Sequence, residues 1–185
     1  GKPGFEGPSS TSPTPSTSST PSISSPQTAG PLAQAASPGT LARLRELGRI
    51  APPAYEPAGL RGPEDEAQRL FRQAMGHYRQ HDCAAAIPGL RQAAARDPEA
   101  AQIAFFLGAC DLLTGRTDAG IRRLRQVVAL GGSPYLEEAH LLLAKASLQK
   151  QDVAGAKAEL RQVIGLRGDF QAEGEQLLKQ LEELR

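Results

Sequence analysis

Beyond about residue 64 the apolar residues fall on a helical stripe that restarts at regular intervals. Residues 64–80 place Leu70, Ala74, His77 and Tyr78 on one stripe, and residues 99–114 do the same with Ala104, Leu107, Gly108 and Leu112. Residues 135–150 follow with Leu141, Leu143, Ala144 and Leu148. Spacings of three and four put such side chains on one face of a helix. Each run is followed, after a short polar joint, by a second run. The joints are Gln80, His81 and Asp82; Gly115, Arg116 and Thr117; and Gln151 with Asp152. In the second runs Leu90, Leu124 and Leu160 come four residues after Ala86, Gly120 and Ala156. Ala93, Val127 and Val163 come three residues later. Asp97 and Pro98 stop the first pair, because proline lacks a backbone donor and disfavours helix before it. Gly131, Gly132, Ser133 and Pro134 stop the second. The pair at Ala86 and Ile87 recurs at Gly120 and Ile121, 34 residues on, and again at Ala156 and Lys157 after 36 more. The pattern predicts three helix–turn–helix units, over about 65–100, 101–134 and 135–168.

The two ends differ from this middle. Phe170, Leu177, Leu178, Leu181 and Leu184 alternate with charged residues and predict a last amphipathic helix within 169–185. Stacked units bury their apolar stripes only against neighbours, so an end needs a polar outer face. A cap is therefore expected here, rather than a coiled-coil seam for dimerisation. Residues 1–40 are Ser, Thr, Pro, Gly and Ala with few large apolar side chains, too little to offset the entropy of ordering. They predict a disordered arm. Residues 41–62 form a junction: Leu41, Leu44 and Leu47 suit a short helix ended by Gly48, and Ala51 to Pro57 suit extended, polyproline-like chain. The class is all-α.

The repeated unit resembles the tetratricopeptide repeat. Small residues stand where that repeat's two helices cross, at Ala74 and Ala86, Gly108 and Gly120, and Ala144 and Ala156. Pro98 ends the first unit as the family's proline does, while Gly132 and Gly168 replace it later. Positions often held by tryptophan are Leu70, Ala104 and His140, and those often held by tyrosine are His77, Asp111 and Ser147. Pro88 is expected near the first turn of its helix, where a lost donor costs least. The resemblance implies a partner-binding groove lined by the first helix of each unit. Its residues here are Gln68, Phe71, Met75 and Tyr78; Gln102, Phe105, Ala109 and Leu112; and Glu138, Leu141, Lys145 and Leu148. Members that hold acidic chaperone tails need basic and amide side chains where Phe71 and Met75 stand, so an apolar or amphipathic peptide or helix is the expected occupant. The junction is itself apolar and tethered at high effective concentration. Residues 41–60 are thus expected to pack on the stack, as a cap on the first unit or as a self-ligand in the groove.

Charge changes little. With 21 Lys and Arg against 20 Asp and Glu, no strongly basic face is forced, and nucleic acid is not expected as a partner. No stretch approaches the roughly 20 apolar residues of a membrane span. The chain opens on Gly1 rather than Met, so the want of a signal segment decides nothing about compartment. The sequence contains no Asn and favours Arg over Lys, which suggests a GC-rich bacterial genome. The domain also looks like the repeat-bearing part of bacterial envelope proteins, which makes an extracytoplasmic setting the expectation. That resemblance implies an alternative role as the sensor or spacer domain of a membrane-anchored, anti-sigma-like regulator. Another alternative is a self-assembly module using the C-terminal helix, although a monomer is expected.

Candidate chemistry is sparse. His77, His81 and Cys83 offer at most three metal ligands, with His77 expected to face its partner helix, so no metal is expected. Cys83 and Cys110 lack the spacing of a disulfide framework. Nucleophile elbows and phosphate-cradling loops are absent. Asp111 stands at a normally aromatic position, within expected reach of Arg116. Neither catalysis nor a cofactor is expected, and the reading is a protein–protein interaction scaffold.

Overall fold

The computed structural model describes residues 37–57 and 65–184. Most of the expected arm (residues 1–36), the end of the junction (58–62) and residues 63 and 64 lie outside the described residues. Those described are helical wherever they are regular. The helices are α1 (Pro38–Leu47), α2 (Glu66–Arg79), α3 (Cys83–Arg96), α4 (Ala101–Leu113), α5 (Thr117–Leu130), α6 (Leu136–Gln149), α7 (Val153–Leu166) and α8 (Gln171–Glu183). In an all-α repeat fold, α2 packs on α3, α4 on α5 and α6 on α7, while α3 meets α4 and α5 meets α6. At the C-terminal end α8 lies on α7, and at the other end of the sequence α1 lies on α6.

Local chemistry explains these boundaries. Asp65, Asp82 and Asp152 each accept a hydrogen bond from the backbone amide three residues on, at 2.7, 2.8 and 2.8 Å. Each satisfies a donor that the first helical turn leaves open. Ser37 does the same for α1, with Pro38 in its first turn, where no donor is needed. The short helix thus begins three residues before Leu41. Within the hairpins the turns pivot on His81, Gly115 and Gln151, at φ 61°, 78° and 62°. Only glycine enters that left-handed region without a steric penalty, so two of the three turns carry one.

The small residues act as the repeat pattern requires. An added Cβ on Gly120 would stand 2.6 Å from Leu112 Cγ and 2.9 Å from the Gly108 carbonyl. Ala74, Ala86, Ala144 and Ala156 are likewise buried. One expectation is corrected: Pro88 is the sixth residue of α3, in its second turn. Its ring removes the amide that would bond to the carbonyl of Ala84. Both residues are exposed, which leaves that carbonyl to water.

Two apolar clusters fill the stack. One joins α2 to α5 and part of α6, around Phe105, Phe106, Met75, Leu90 and Leu124. The other joins α6, α7 and α8 around Leu141, Leu148, Leu160 and Leu177, and it includes Leu44 and Leu47 of α1. Ile50 and Tyr55, a few residues further along, pack on the first cluster instead. The segment 38–57 is therefore a strap that starts on the third hairpin and ends on the first.

Candidate protein interaction site

The first helices of the three hairpins, α2, α4 and α6, present the face that the strap crosses. At one end Leu44 and Leu47 of α1 sit in the cluster of Leu141 and Leu148. Gly48 follows, so close to α6 that a Cβ there would stand 2.9 Å from the Lys145 carbonyl and 3.1 Å from Leu148 Cβ. The Gln149 side-chain amide donates to the Gly48 carbonyl at 2.9 Å. At the other end the Tyr78 hydroxyl donates to the Pro53 carbonyl at 2.6 Å in a buried contact. Beyond it Tyr55 meets Phe71 and Phe106 edge-on, with ring centroids 5.9 and 5.4 Å away. Such edge-to-face pairs add about 0.5–1.5 kcal/mol each beyond the area they bury.

The aromatic cluster continues under the strap. Phe106 touches Tyr78, Phe105 and Tyr135, and Phe105 stacks on Tyr135 at 4.8 Å. Burial raises the pKa values of Tyr55, Tyr78 and Tyr135 above the ordinary phenol value, so all three remain protonated. Gln102 hydrogen-bonds the Tyr135 side chain. One acid stands among them. Burial pushes the Glu138 carboxyl up to about 7, against the pull of the Lys145 ammonium, while Glu173 pushes the same way as burial. Lys145 is itself engaged by Glu173 at 2.7 Å.

The residues expected to line a groove divide by depth. Phe71, Met75, Tyr78, Phe105, Ala109, Leu112, Leu141 and Leu148 are all buried. Gln68 is exposed, and Gln102, Glu138 and Lys145 are partly so. Leu112 and Ala109 belong to the packing of α4, with Leu112 against Gly120 of α5. Phe71, Tyr78, Leu141 and Leu148 meet the strap directly or share its cluster. Residues 41–57 thus lie along the first-helix face and extend past the first hairpin to the third.

Other candidates resolve as packing or as turns. His77 is exposed on α2 and does not face its partner helix; the buried stripe runs through Ala74 and Tyr78 beside it. His81 lies in the left-handed turn position. Among the described residues no group of three or more His, Cys, Asp or Glu side chains is placed to hold a metal ion. Asp111 is buried and pairs with Arg116 Nε at 2.8 Å. His140 is also buried, with Nδ1 2.7 Å from Glu159 of α7. Leu177 and Leu181, which a dimer seam on α8 would use, are buried against the stack. Glu137 of α6 accepts from the backbone amides of Gly168 and Phe170 at 3.2 and 3.1 Å, holding the start of α8. No described helix is long and apolar enough to cross a membrane. What spacing along the chain failed to reveal is the approach of Cys83 to Cys110, whose sulfurs lie 2.7 Å apart.

Three helical hairpins with small residues at their crossings, stacked end to end and closed by an eighth helix, define an α-solenoid of the kind built for protein–protein interaction. Residues 71–121 match the tetratricopeptide repeat family, and the described residues fold as helical repeats of that type. No curated protein matches it in sequence. Among solved structures it is similar to the type III secretion chaperone SycD of Yersinia enterocolitica in complex with a peptide of the translocator YopD. That similarity has a TM-score of 0.59 and 18% identity, over 65% of this chain and 95% of the other. An alternative dimer of SycD matches at a TM-score of 0.57 with 18% identity, over the same shares. A further SycD structure matches at 0.54 and 19%, over 63% of this chain and 81% of the other. At such identities the likeness speaks for the fold.

Proposed function

We propose that this chain is a non-enzymatic scaffold that binds an apolar or amphipathic segment of a protein partner along the face of α2, α4 and α6. In the absence of the partner, residues 38–57 occupy that face in cis. The observation that carries the reading is the seating of the strap. Its helix fills an apolar site on α6, its backbone carbonyl takes the Tyr78 hydroxyl, and its Tyr55 ring enters an aromatic pocket. These are the elements by which helical and extended peptides are ordinarily held. A partner of the same chemistry would meet preformed contacts once the strap has left. The SycD structure with a YopD peptide supports the reading by analogy, since a related fold there holds a peptide.

A tethered ligand competes at an effective concentration of about a millimolar, which sets the test. A fluorescent peptide copying residues 38–57 is titrated into the full chain and into the double variant Gly48→Leu, Tyr55→Ala. Gly48→Leu forces the strap off α6, and Tyr55→Ala empties its aromatic anchor. The peptide should bind the variant at least about tenfold more tightly than the parent, because the face is vacated. Equal affinity for the two proteins, or no binding to a folded variant, would overturn the reading.

A further inference from the structure

Cys83 and Cys110 are 27 residues apart in the chain, and the fold brings them together in the interior. Cys83 is the first residue of α3, and Cys110 lies in α4. The Cys110 thiol donates to the Cys83 sulfur at 2.7 Å. Cys110 is wholly buried, whereas Cys83 keeps 8% of its surface. The difference has a structural origin. A cavity of about 320 Å³ opens beside Cys83, bounded by Pro52, Tyr78, His81 and Thr114. Cys110 is not among its walls. One thiol of the pair is therefore reachable from outside, and the other waits directly behind it.

We propose that Cys83 and Cys110 form a redox site, a dithiol that a small-molecule disulfide closes to an intrachain disulfide tying the first hairpin to the second. Cys83 enters first. Its thiolate attacks one sulfur of the oxidant, forms a mixed disulfide and releases one thiol. Cys110 then attacks the Cys83 sulfur and releases the second. Two protein thiols and one disulfide become one protein disulfide and two small thiols, and each cysteine proton passes to a departing thiolate. The roles agree with position. A helix N-terminus favours a thiolate, and Cys83 holds that place. The hydrogen bond from Cys110 also lowers the Cys83 value against the opposing effect of burial. The same bond together with burial raises that of Cys110, as suits a thiol that reacts second. The pair lies beneath Tyr78, the residue whose hydroxyl holds the strap, so the staple would form at the strap's anchor.

The test uses the full chain, incubated folded with oxidised glutathione. The expected product is a species lighter by about 2 Da, from the loss of two hydrogens, with no thiol left to label after unfolding. Digestion with trypsin should join fragments 80–91 and 97–116. The melting temperature should rise by roughly 10 °C relative to the reduced chain, from closure of a loop of that length, and fall back on reduction. In Cys110→Ser the same treatment should stop at a glutathione adduct on Cys83. Overturning results are an unchanged mass with both thiols still titrating after unfolding, a glutathione adduct that persists on the parent chain, or a crosslink between two chains. Should Cys110→Ser fail to fold, the oxidised and reduced parent proteins decide the matter alone.

Discussion

Glu138 sits on the first-helix face as an acid among aromatic rings, and its environment makes stability depend on pH. Burial raises its folded value from 4.5 to about 7. A carboxyl whose folded value lies above its unfolded value binds a proton more tightly in the native state. Its contribution is fully present below about 4.5 and is lost as pH rises towards and through about 7. Glu138→Gln removes the charge and keeps the shape. The variant should melt a few degrees above the parent at about pH 8.5 and match it near pH 4. Thermal melts at the two pH values check this, and a gap that widened at low pH would contradict it. The Glu138 side chain is only partly buried, so solvent screening keeps the effect modest. Asp111 shows the other way to bury a carboxylate, held by Arg116 at 2.8 Å and with Arg91 at 3.9 Å.

At the scale of the element, each hairpin needs a chain reversal of the same geometry, and three different residues meet it. Gly115 enters the left-handed region freely, while His81 and Gln151 enter it with a side chain. The strain of a non-glycine residue there is about 1–2 kcal/mol, partly offset because glycine loses more entropy on folding. Gln151→Gly should therefore stabilise the protein by about 0.5–1 kcal/mol, measured by urea unfolding. Gln151 is exposed, so no packing is lost to mask the gain. The starts of α2, α3 and α7 rest on local chemistry, since an aspartate before each apolar run caps the helix that follows. Pro88 was less legible. The start of α3 at Cys83 puts it one turn deeper than the repeat register suggested, and the helix tolerates it because the orphaned carbonyl lies on an exposed side.

For the molecule as a whole, the strap is the element that links the two apolar clusters from outside the stack. Leu44 and Leu47 are buried on the third hairpin, and such burial stabilises by about 1.5–3 kcal/mol per side chain before the entropy of ordering the segment is subtracted. A chain beginning at Asp65 should melt roughly 10 °C lower than the full protein and bind more of a dye for apolar surface. Identical melts would mean that the strap rests on the stack without stabilising it. The same truncation would expose Phe71, Phe106 and Leu148, an apolar stretch that favours self-association.

The repeat was written in the sequence because its determinants are local. A stripe at three- and four-residue spacing, a capping aspartate and a small residue at each crossing act over a turn or two of helix, and the 34-residue period stacks them. The short helix at Leu41, Leu44 and Leu47 could be read for the same reason. Only the tertiary structure decided where that helix docks. The hydrogen bond from Gln149 to Gly48 spans 101 residues of chain, and no local pattern names such a partner. It likewise decided that Cys83 and Cys110 meet, since the turn at His81 and the packing of α3 on α4 bring together residues that spacing alone keeps apart. The raised pKa of Glu138 has the same origin, because burial and neighbouring charge are properties of a folded surface. The chain's local periodicities therefore specify the stack, and contacts made across it specify what covers its first-helix face.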